Sequence, residues 1–310
     1  MVSAIGFGAW GIGGAVDGGL SYGSTNDAVS LAALHHAFDN GVNFFDTAPL
    51  YGLGHSETLI GKAFRHRRDQ VFIATKAGYG DFVSGADFSA DGLRRSVEGS
   101  LRRLGTDYVD LLQLHDPAAD LLHAHPEVAA TLQSLRDQGK VRMLGASVKA
   151  PADGLALAGS PLIGAIQCNF SMMDLRALEC GLLHHAETKG IAIIARTPLC
   201  FGFLTATLSG DEDFAAGDHR RRWPRQQLRA WADGARLLLA AVDADTDHTT
   251  TALRFTLSFP SVAATIPGML TSEQVDANLT AGRQPPLPPD AIDRVIACNR
   301  AHDGFKVTAP

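Results

Sequence analysis

The sequence has few cysteines, no excess of positive charge and no long apolar run. Its four cysteines form no CxxC pair, which argues against a disulfide framework or a cysteine zinc site: Cys168, Cys180, Cys200 and Cys298. A formal net charge of −6 argues against a surface for nucleic acid or anionic lipid. No stretch approaches the roughly 18 apolar residues of a membrane span, and no signal peptide is visible. We therefore expect a cytoplasmic protein that acts on small molecules.

Short hydrophobic runs recur along the whole chain. They are too continuous for half-exposed strands and are typical of parallel strands covered on both faces. The runs span residues 4–9, 43–48, 71–76, 108–115, 141–147, 165–170, 191–197 and 262–268.

Segments with helical spacing lie between these runs, at residues 27–41, 89–105, 127–140 and 174–190. Alternation of strand and helix about eight times predicts βαβ units and favours a closed (β/α)8 TIM barrel over an open sheet, with residues 1–310 as one domain. Two long connections, 116–126 and 198–224, should lie at the carboxyl-terminal face of the barrel. After the proline-rich segment 282–290 we expect a last helix and a loose tail.

Polar side chains follow the predicted second, third and fourth strands. Asp46 ends the second strand with Tyr51 just beyond it, Lys76 ends the third and His115 ends the fourth. Each residue also has an ordinary structural explanation. Asp46 could cap a turn and Tyr51 could be a packed aromatic residue of a loop. Lys76 could be a solvated strand end and His115 a histidine satisfied within the core. All four at strand ends that point into one barrel mouth favour an active site.

An acid, an ammonium group and a phenol together have a chemical logic. A phenol with an ordinary pKa of about 10 is a poor proton donor until a nearby ammonium stabilises its phenolate. A buried lysine tends to lose its proton unless a carboxylate holds it charged. We therefore interpret Asp46 as the support of Lys76, and Lys76 as the residue that tunes Tyr51 for proton donation.

Motifs along nearly the whole chain resemble those of the aldo-keto reductase superfamily, in the form of a bacterial-type member. They are 5-IGFGAWGIGG-14, 41-GVNFFDTAPLYG-52, 56-SETLIG-61, 73-IATK-76, 104-LGTDYVDLLQLHDP-117, 139-GKVRMLGAS-147, 197-TPLCFGFLT-205 and 266-IPGMLTSEQVDANL-279. The resemblance implies an eight-stranded barrel that binds a nicotinamide cofactor without a Rossmann fold. It also implies that hydride passes from the nicotinamide to a carbonyl carbon while Tyr51 delivers the proton and His115 orients the carbonyl oxygen.

The same resemblance implies a set of cofactor contacts: Trp10, Ser147, Gln167, Arg196, Thr197, Pro198, Leu199, Gly202, Leu204, Ile266, Gly268, Gln274 and Asn278. Two positions depart from the family pattern. Val148 stands where an asparagine often follows the serine, and Arg196 stands where an aromatic residue often stacks on the nicotinamide. A guanidinium plane can stack as well, or it can pair with the pyrophosphate.

The choice of cofactor is where the family pattern and the residues disagree. Many relatives bind the 2′-phosphate with Lys or Arg in the segment aligned with 268-GMLTSEQ-274, which here holds neutral residues and Glu273. We expect NADPH from the family habit, with NADH as the alternative. Arg222 or Arg225 of the long loop could supply the missing charge, and backbone N–H groups are a third option.

The leading hypothesis is an enzyme that reversibly reduces an aldehyde or ketone to an alcohol. A nicotinamide-binding regulatory subunit of the same fold is the alternative, and a barrel lyase or isomerase would share the fold without needing the four polar residues. No metal site is expected, because His123 and His125 lack a third ligand. The selecting loops carry no transferable code, so sugars, steroid-like ketones and aromatic aldehydes all stay open as substrates.

Overall fold

Strands and helices alternate along the chain in the computed structural model, which describes residues 1–15, 21–81, 83–242 and 247–302. The strands are β1 (Phe7–Gly8), β2 (Phe44–Asp46), β3 (Phe72–Ala77), β4 (Val109–His115), β5 (Val141–Val148), β6 (Ala165–Asn169), β7 (Ala192–Arg196) and β8 (Val262–Ile266). The helices are α1 (Asp27–Asp39), α2 (His55–Phe64), α3 (Ala90–Leu104), α4 (Leu121–Ala124), α5 (Pro126–Asp137), α6 (Pro151–Leu157), α7 (Arg176–Glu179), α8 (Leu182–Lys189), α9 (Arg225–Ala240), α10 (His248–Leu257), α11 (Ser272–Gly282) and α12 (Pro289–Ala301).

The eight strands form one parallel sheet in chain order, from β1 to β8. Bridges between Ile5 and Thr265, and between Gly8 and Gly268, join the two edge strands. The sheet thus closes into the predicted (β/α)8 barrel, and each predicted hydrophobic run overlaps one strand, with β3 and β5 each ending one residue later than predicted. Closure leaves the eight carboxyl ends around one mouth, where parallel barrels carry their sites.

The two faces of each strand bury against different partners. A small cluster of side chains fills the barrel interior and includes Phe44, Ala74, Leu111, Ala165 and Ile194. Their neighbours in sequence point outward into the larger core between sheet and helices, as the two-residue period of a strand requires. The same alternation turns the last inward side chains of β2, β3 and β4 toward the barrel mouth.

Helix α3 illustrates how the helices form and what they bury. Ser89 caps its first turn by accepting a hydrogen bond from the backbone N–H of Gly92, and Gly105 ends it in the left-handed conformation at φ 63°. Four apolar side chains three or four residues apart line its inner face: Leu93, Val97, Leu101 and Leu104. Each such burial is worth about 1.5–3 kcal/mol, so the face that carries them decides how the helix docks.

Two segments differ from the sequence-based expectation. The helix expected over residues 174–190 is divided into α7 and α8, because Gly181 adopts φ 81° between them. The long connections are also partly ordered: α4 lies within 116–126, and 3-10 turns at Cys200–Thr205 and His219–Arg222 lie within 198–224.

The carboxyl-terminal region agrees with the prediction as far as it is described. The proline-rich segment crosses to α12, and Arg254 fixes it by donating hydrogen bonds to the carbonyls of Pro285 and Pro286. The predicted loose tail falls at 303–310, outside the described residues. Among the described residues no helix is long and apolar enough to cross a membrane, and the four cysteines are free thiols.

Candidate active site

The four predicted polar side chains come together at the mouth of the barrel. Lys76 Nζ lies 2.6 Å from Asp46 Oδ1 and 4.7 Å from the centre of the Tyr51 ring. The His115 ring stands edge-on to Tyr51 with 6.4 Å between ring centres. The adjacent strands β2, β3 and β4 therefore bring together residues that lie up to 69 positions apart in the sequence, from 46 to 115. We call these four residues the tetrad.

Asp46 is the hub of a buried hydrogen-bond network. Its Oδ1 accepts from Lys76 at 2.6 Å, and its Oδ2 accepts from Gln167 Nε2 at 2.6 Å and from Gln113 Nε2 at 3.0 Å. Lys76 also donates to the carbonyl oxygen of Thr47 at 2.9 Å. All these side chains are buried, so the hydrogen bonds are made without competition from water.

The charge of Lys76 is held by its neighbours. Burial alone lowers the pKa of this ammonium, but the Asp46 carboxylate and the contact with Tyr51 outweigh burial and raise the pKa above its ordinary value. Lys76 is thus an ammonium ion at neutral pH, beside a phenol and with no exposed surface. That is the arrangement in which a positive charge favours the phenolate most strongly.

Tyr51 is fixed in place by two glycines. Gly52 has φ 60°, and a Cβ at this position would lie 2.1 Å from the carbonyl oxygen of Gly13. A Cβ at Gly13 would in turn lie 2.8 Å from the backbone carbon of Tyr51. The two backbones therefore approach closer than any other residue type allows, and this contact anchors the turn that carries Tyr51 against the turn after β1.

His115 is a neutral ring at pH 7. Burial lowers its pKa well below the ordinary value, and the positive charges of Lys76, Arg196 and Lys149 lower it further. Its Nδ1 is buried without a hydrogen-bond partner among the described residues. A neutral imidazole keeps one N–H donor and one acceptor, so this ring can donate a hydrogen bond to a carbonyl oxygen without acting as an acid.

A cleft of about 1060 Å³ opens above the tetrad. Asp46, Tyr51 and His115 line it, whereas Lys76 lies beneath its floor. Eleven of the predicted cofactor positions line the same cleft: Trp10, Gln167, Arg196, Thr197, Pro198, Leu199, Gly202, Ile266, Gly268, Gln274 and Asn278. Ser147 and Leu204 do not, because Ser147 Oγ donates to Gln167 Oε1 at 2.9 Å below the surface and Leu204 is packed in the outer core.

Comparison with known proteins identifies the chain. The family model of the "Aldo/keto reductase family" matches residues 4–300. The chain belongs to this family. The predicted class, an NAD(P)-dependent oxidoreductase of the aldo-keto reductase type, is thereby confirmed.

Several named relatives cover most of the chain. It is 34% identical over 230 residues to aldo-keto reductase YhdN of Bacillus subtilis, across 73% of this chain and 67% of the relative. It is 30% identical over 298 residues to L-galactose dehydrogenase of Arabidopsis thaliana, across 90% and 84%. Among solved structures, glycerol dehydrogenase AKR11B4 of Gluconobacter oxydans aligns with a TM-score of 0.80 at 26% identity, across all of this chain and 95% of that one.

The wall of the cleft that the aldo-keto reductase motifs assign to the nicotinamide carries Arg196. Its Nη2 donates to the carbonyl of Val148 at 3.1 Å, while its Nε is buried without a partner among the described residues. The guanidinium group is therefore bound to β5 through Nη2, whereas its Nε–H lacks a hydrogen-bond acceptor among the described residues. Either predicted role, stacking or pairing with a phosphate, stays a prediction.

At the opposite end of the cleft, by the start of α11, the described residues that line it include no cationic side chain. Leu270 and Gln274 line it, and Gln274 Oε1 accepts a hydrogen bond from the backbone N–H of Leu270 at 2.8 Å. Arg225 is turned away from the cleft and bonds to the carbonyl of Asp211 and the carboxylate of Asp213. Arg222 does not line the cleft either. Arg220 of the same loop does line the cleft, where Asp218 binds its guanidinium group over the Tyr22 ring.

A cluster of aromatic rings surrounds His219 of the loop after β7 and was not predicted from the sequence. Of its members, only Trp10 is among the predicted site residues. His219 is buried at its centre, with ring centres of Trp10, Tyr22 and Trp223 within 4.6–5.1 Å. The His219 pKa is lowered to about 4, mainly by burial. The histidine, arginines and tryptophan of 217-GDHRRRWPR-225 were visible in the sequence, but nothing in it pointed to residue 22 as their partner. A second unpredicted residue is Gln113, below the tetrad.

Proposed function

We propose that the protein reduces the carbonyl group of an aldehyde or ketone to an alcohol, reversibly, with Tyr51 as the proton donor. One observation carries this proposal: the Lys76 ammonium lies 4.7 Å from the Tyr51 ring at the base of a cleft and is itself fixed on Asp46. A buried cation beside a phenol lowers the free energy of the phenolate that remains after the proton has left. The cleft also holds a second phenol beside a cation, Tyr22 next to Arg220, but burial raises the pKa of Tyr22 and makes it a poorer proton donor.

Each tetrad residue then has one task. Tyr51 gives its proton to the developing alkoxide oxygen, and Lys76 stabilises the phenolate that results. Asp46 keeps Lys76 charged and in position. His115, neutral at pH 7, donates a hydrogen bond to the carbonyl oxygen and so orients it. A nicotinamide cofactor supplies the hydride when it is bound.

The residues that are present fit a nicotinamide dinucleotide. The cleft extends from the tetrad to α11, and the unsatisfied Arg196 Nε lies in its wall. We infer that Gln167 and Arg196 would contact the nicotinamide half and that Asn278 would contact the adenine. Both NADPH and NADH should be accepted, because the described residues that line the α11 end include no lysine or arginine to select the 2′-phosphate. NADPH should be somewhat ahead, as is the habit of the family. Relatives with either choice are known, a yeast aldo-keto reductase named for NADP(+) and an NADH-specific methylglyoxal reductase of Escherichia coli.

Replacement of Tyr51 by phenylalanine tests the proposal. Tyr51→Phe should lower turnover of simple aldehydes and ketones by about 100-fold or more, since general acid catalysis contributes about 10²–10⁴-fold. Its dissociation constants for NADPH and NADH should change little. Tyr108→Phe is the matched control, because Tyr108 stacks on Arg68 and Arg142 before β4, at the other end of the barrel.

Two results would overturn the proposal. Wild-type turnover by Tyr51→Phe would remove Tyr51 as the acid. Tight cofactor binding by the wild type with no turnover of any aldehyde, ketone or alcohol would favour the regulatory alternative. The absorbance of the reduced nicotinamide follows turnover, and quenching of tryptophan fluorescence follows binding. We also infer a cytoplasmic location, with which four free thiols agree.

A further inference from the structure

Gln113 is a buried polar residue that no motif assigned to the site. It lies on the inward face of β4, directly across the strand pair from Lys76, and has no exposed surface. Its other neighbour in register is Gly145 on β5, which has no side chain to offer. The Nε2 of Gln113 donates to Asp46 Oδ2 at 3.0 Å, and its Oε1 is buried without a partner among the described residues.

The unpartnered oxygen shows that this amide carries a cost to the stability of the core. A buried acceptor that lost its water without gaining a donor costs folding free energy, and a leucine of similar volume would avoid that cost. The amide nevertheless turns its donor toward Asp46. An ionised carboxylate only accepts hydrogen bonds, so no other orientation of Gln113 is compatible with its position.

The network makes Asp46 a carboxylate shared among three donors. Lys76 occupies Oδ1, and two glutamine amides occupy Oδ2. Each amide draws negative charge toward Oδ2 and away from the Lys76 side. Less of the positive field of Lys76 is then cancelled by Asp46, and more of it acts on Tyr51.

We propose that Gln113 is a positioning residue that acts on Tyr51 through Asp46 and Lys76, and makes the phenol a stronger acid. The proposal rests on the proposed function, since it deepens the role of the same site. Gln113 does not line the cleft, so it touches neither substrate nor cofactor. Outside the tetrad, the charged or titratable groups near it are Tyr79 after β3, Asp116 after β4, Lys149 after β5 and Arg196 on β7.

The first test measures Tyr51 directly and needs no substrate. The chain has only four tyrosines, so the protein labelled with ¹³C at the tyrosine ζ carbon gives few resonances, and Tyr51→Phe assigns the one that matters. In Gln113→Leu the Tyr51 resonance should titrate at higher pH than in the wild type, by about half a pH unit or more. In the control Gln138→Leu, an exposed amide after α5, it should not move.

The second test follows catalysis with propanal or benzaldehyde. Gln113→Leu should lower kcat about ten-fold and move the alkaline limb of the pH profile to higher pH, because the acid loses its proton later. Dissociation constants for NADPH and NADH should stay within about two-fold of wild type. The unfolding midpoint should change little, since the variant removes the unsatisfied oxygen together with the hydrogen bond to Asp46.

Gln113→Glu gives a rescue that a merely structural role could not produce. Protonated at low pH, the new carboxyl group can donate an O–H to Asp46 in place of the amide N–H. Ionised at higher pH, it repels Asp46. Activity should therefore approach the wild-type level at acidic pH and fall steeply as pH rises, more steeply than in Gln113→Leu.

Failure of this inference is distinguishable from failure of the proposed function. If Tyr51→Phe is inactive but Gln113→Leu keeps the wild-type kcat, pH profile and tyrosine titration, Gln113 has no positioning role. A fall in kcat with an unshifted Tyr51 titration and a lower unfolding midpoint would also overturn the inference, because it would indicate packing alone. Active Tyr51→Phe would instead remove the proposed function.

Discussion

The strand-borne tetrad and the loop after β7 are built in opposite ways. Three residues of the tetrad lie at the carboxyl ends of paired strands, Tyr51 lies on the turn after β2, and Asp46 and Lys76 each make hydrogen bonds to buried groups. The loop instead bends through unfavourable backbone conformations. Four of the six non-glycine residues with positive φ among the described residues lie here: Thr197, Cys200, Phe201 and Ala206.

From this difference we infer that the tetrad carries the chemistry and that the loop contributes to binding. Strand register fixes the tetrad within tight limits, so its geometry follows from local sequence once the barrel closes. The loop is shaped by contacts with distant residues, such as the hydrogen bond from the His219 backbone N–H to the carbonyl of Ser21. Changes in the tetrad should therefore alter the rate of the chemical step, and changes in the loop should alter stability and binding.

The largest effect is expected from Lys76→Met. It removes the charge that stabilises the Tyr51 phenolate and leaves Asp46 buried without its counter-ion, which costs about 3–5 kcal/mol of stability. Turnover should fall about 100-fold or more, with any residual activity shifted to higher pH. Steady-state kinetics across pH and thermal unfolding measure both effects. The exposed Lys62→Met on α2 is the control, and an unshifted pH profile would contradict the coupling of Lys76 to Tyr51.

In the loop, His219 should make stability depend on pH. Its pKa is lowered to about 4 from an ordinary 6.5, so the folded state binds its proton less readily than the unfolded chain. The stability gained from the neutral ring is complete above pH 6.5 and is lost as pH falls through 4, on the order of 3 kcal/mol in all.

His219→Phe should flatten this dependence because a phenyl ring fills the same aromatic cluster without taking a proton. Urea unfolding at pH 7 and pH 4.5, followed by tryptophan fluorescence, measures the change. Trp10, Trp223 and Trp231 are the only tryptophans of the chain, and all three lie in or beside the cluster. The exposed His66→Phe should leave the pH dependence as it is, and an equal loss of stability in His219→Phe would refute the assignment.

A smaller effect is expected from a new charge at the α11 end of the cleft. Leu270→Lys should raise NADPH affinity up to about ten-fold, because a charge-assisted contact is worth about 1.5–3 kcal/mol when well placed and less when exposed. NADH affinity should stay within about two-fold. Leu270→Met has the length without the charge, and a parallel gain for both cofactors would indicate packing instead of charge.

The smallest effect is expected from the arginines of the loop. Arg225 is engaged by Asp211 and Asp213, and neither it nor Arg222 lines the cleft. The double variant Arg222→Ala, Arg225→Ala should therefore change both cofactor dissociation constants by less than about two-fold. Loss of a strong NADPH preference in this variant would revive the loop-clamp hypothesis. A strong preference that survives it would point to backbone N–H groups.

The sequence by itself determined the barrel and the convergence of the tetrad. Continuous apolar runs identify parallel strands, and a residue at the carboxyl end of a run lies at the rim of the mouth. The side-chain period of two residues turns it inward or outward, and a polar residue at this rim is expected to face the mouth. Asp46, Lys76 and His115 could be predicted for this reason, and Tyr51 because it follows β2 so closely. These inferences use only local order and a periodic pattern.

Only the tertiary structure decided what those residues touch. Gln167 reaches Asp46 across 121 positions, and His219 contacts Ser21 across 198, separations at which no local pattern constrains the pairing. Gln113 appears in the sequence as one polar residue within an apolar strand, and only closure of the barrel turns it toward a carboxylate. Ser147 and Leu204 are buried for the same reason. In the folded barrel each of these residues contacts residues from a distant part of the chain, and local sequence does not specify such contacts.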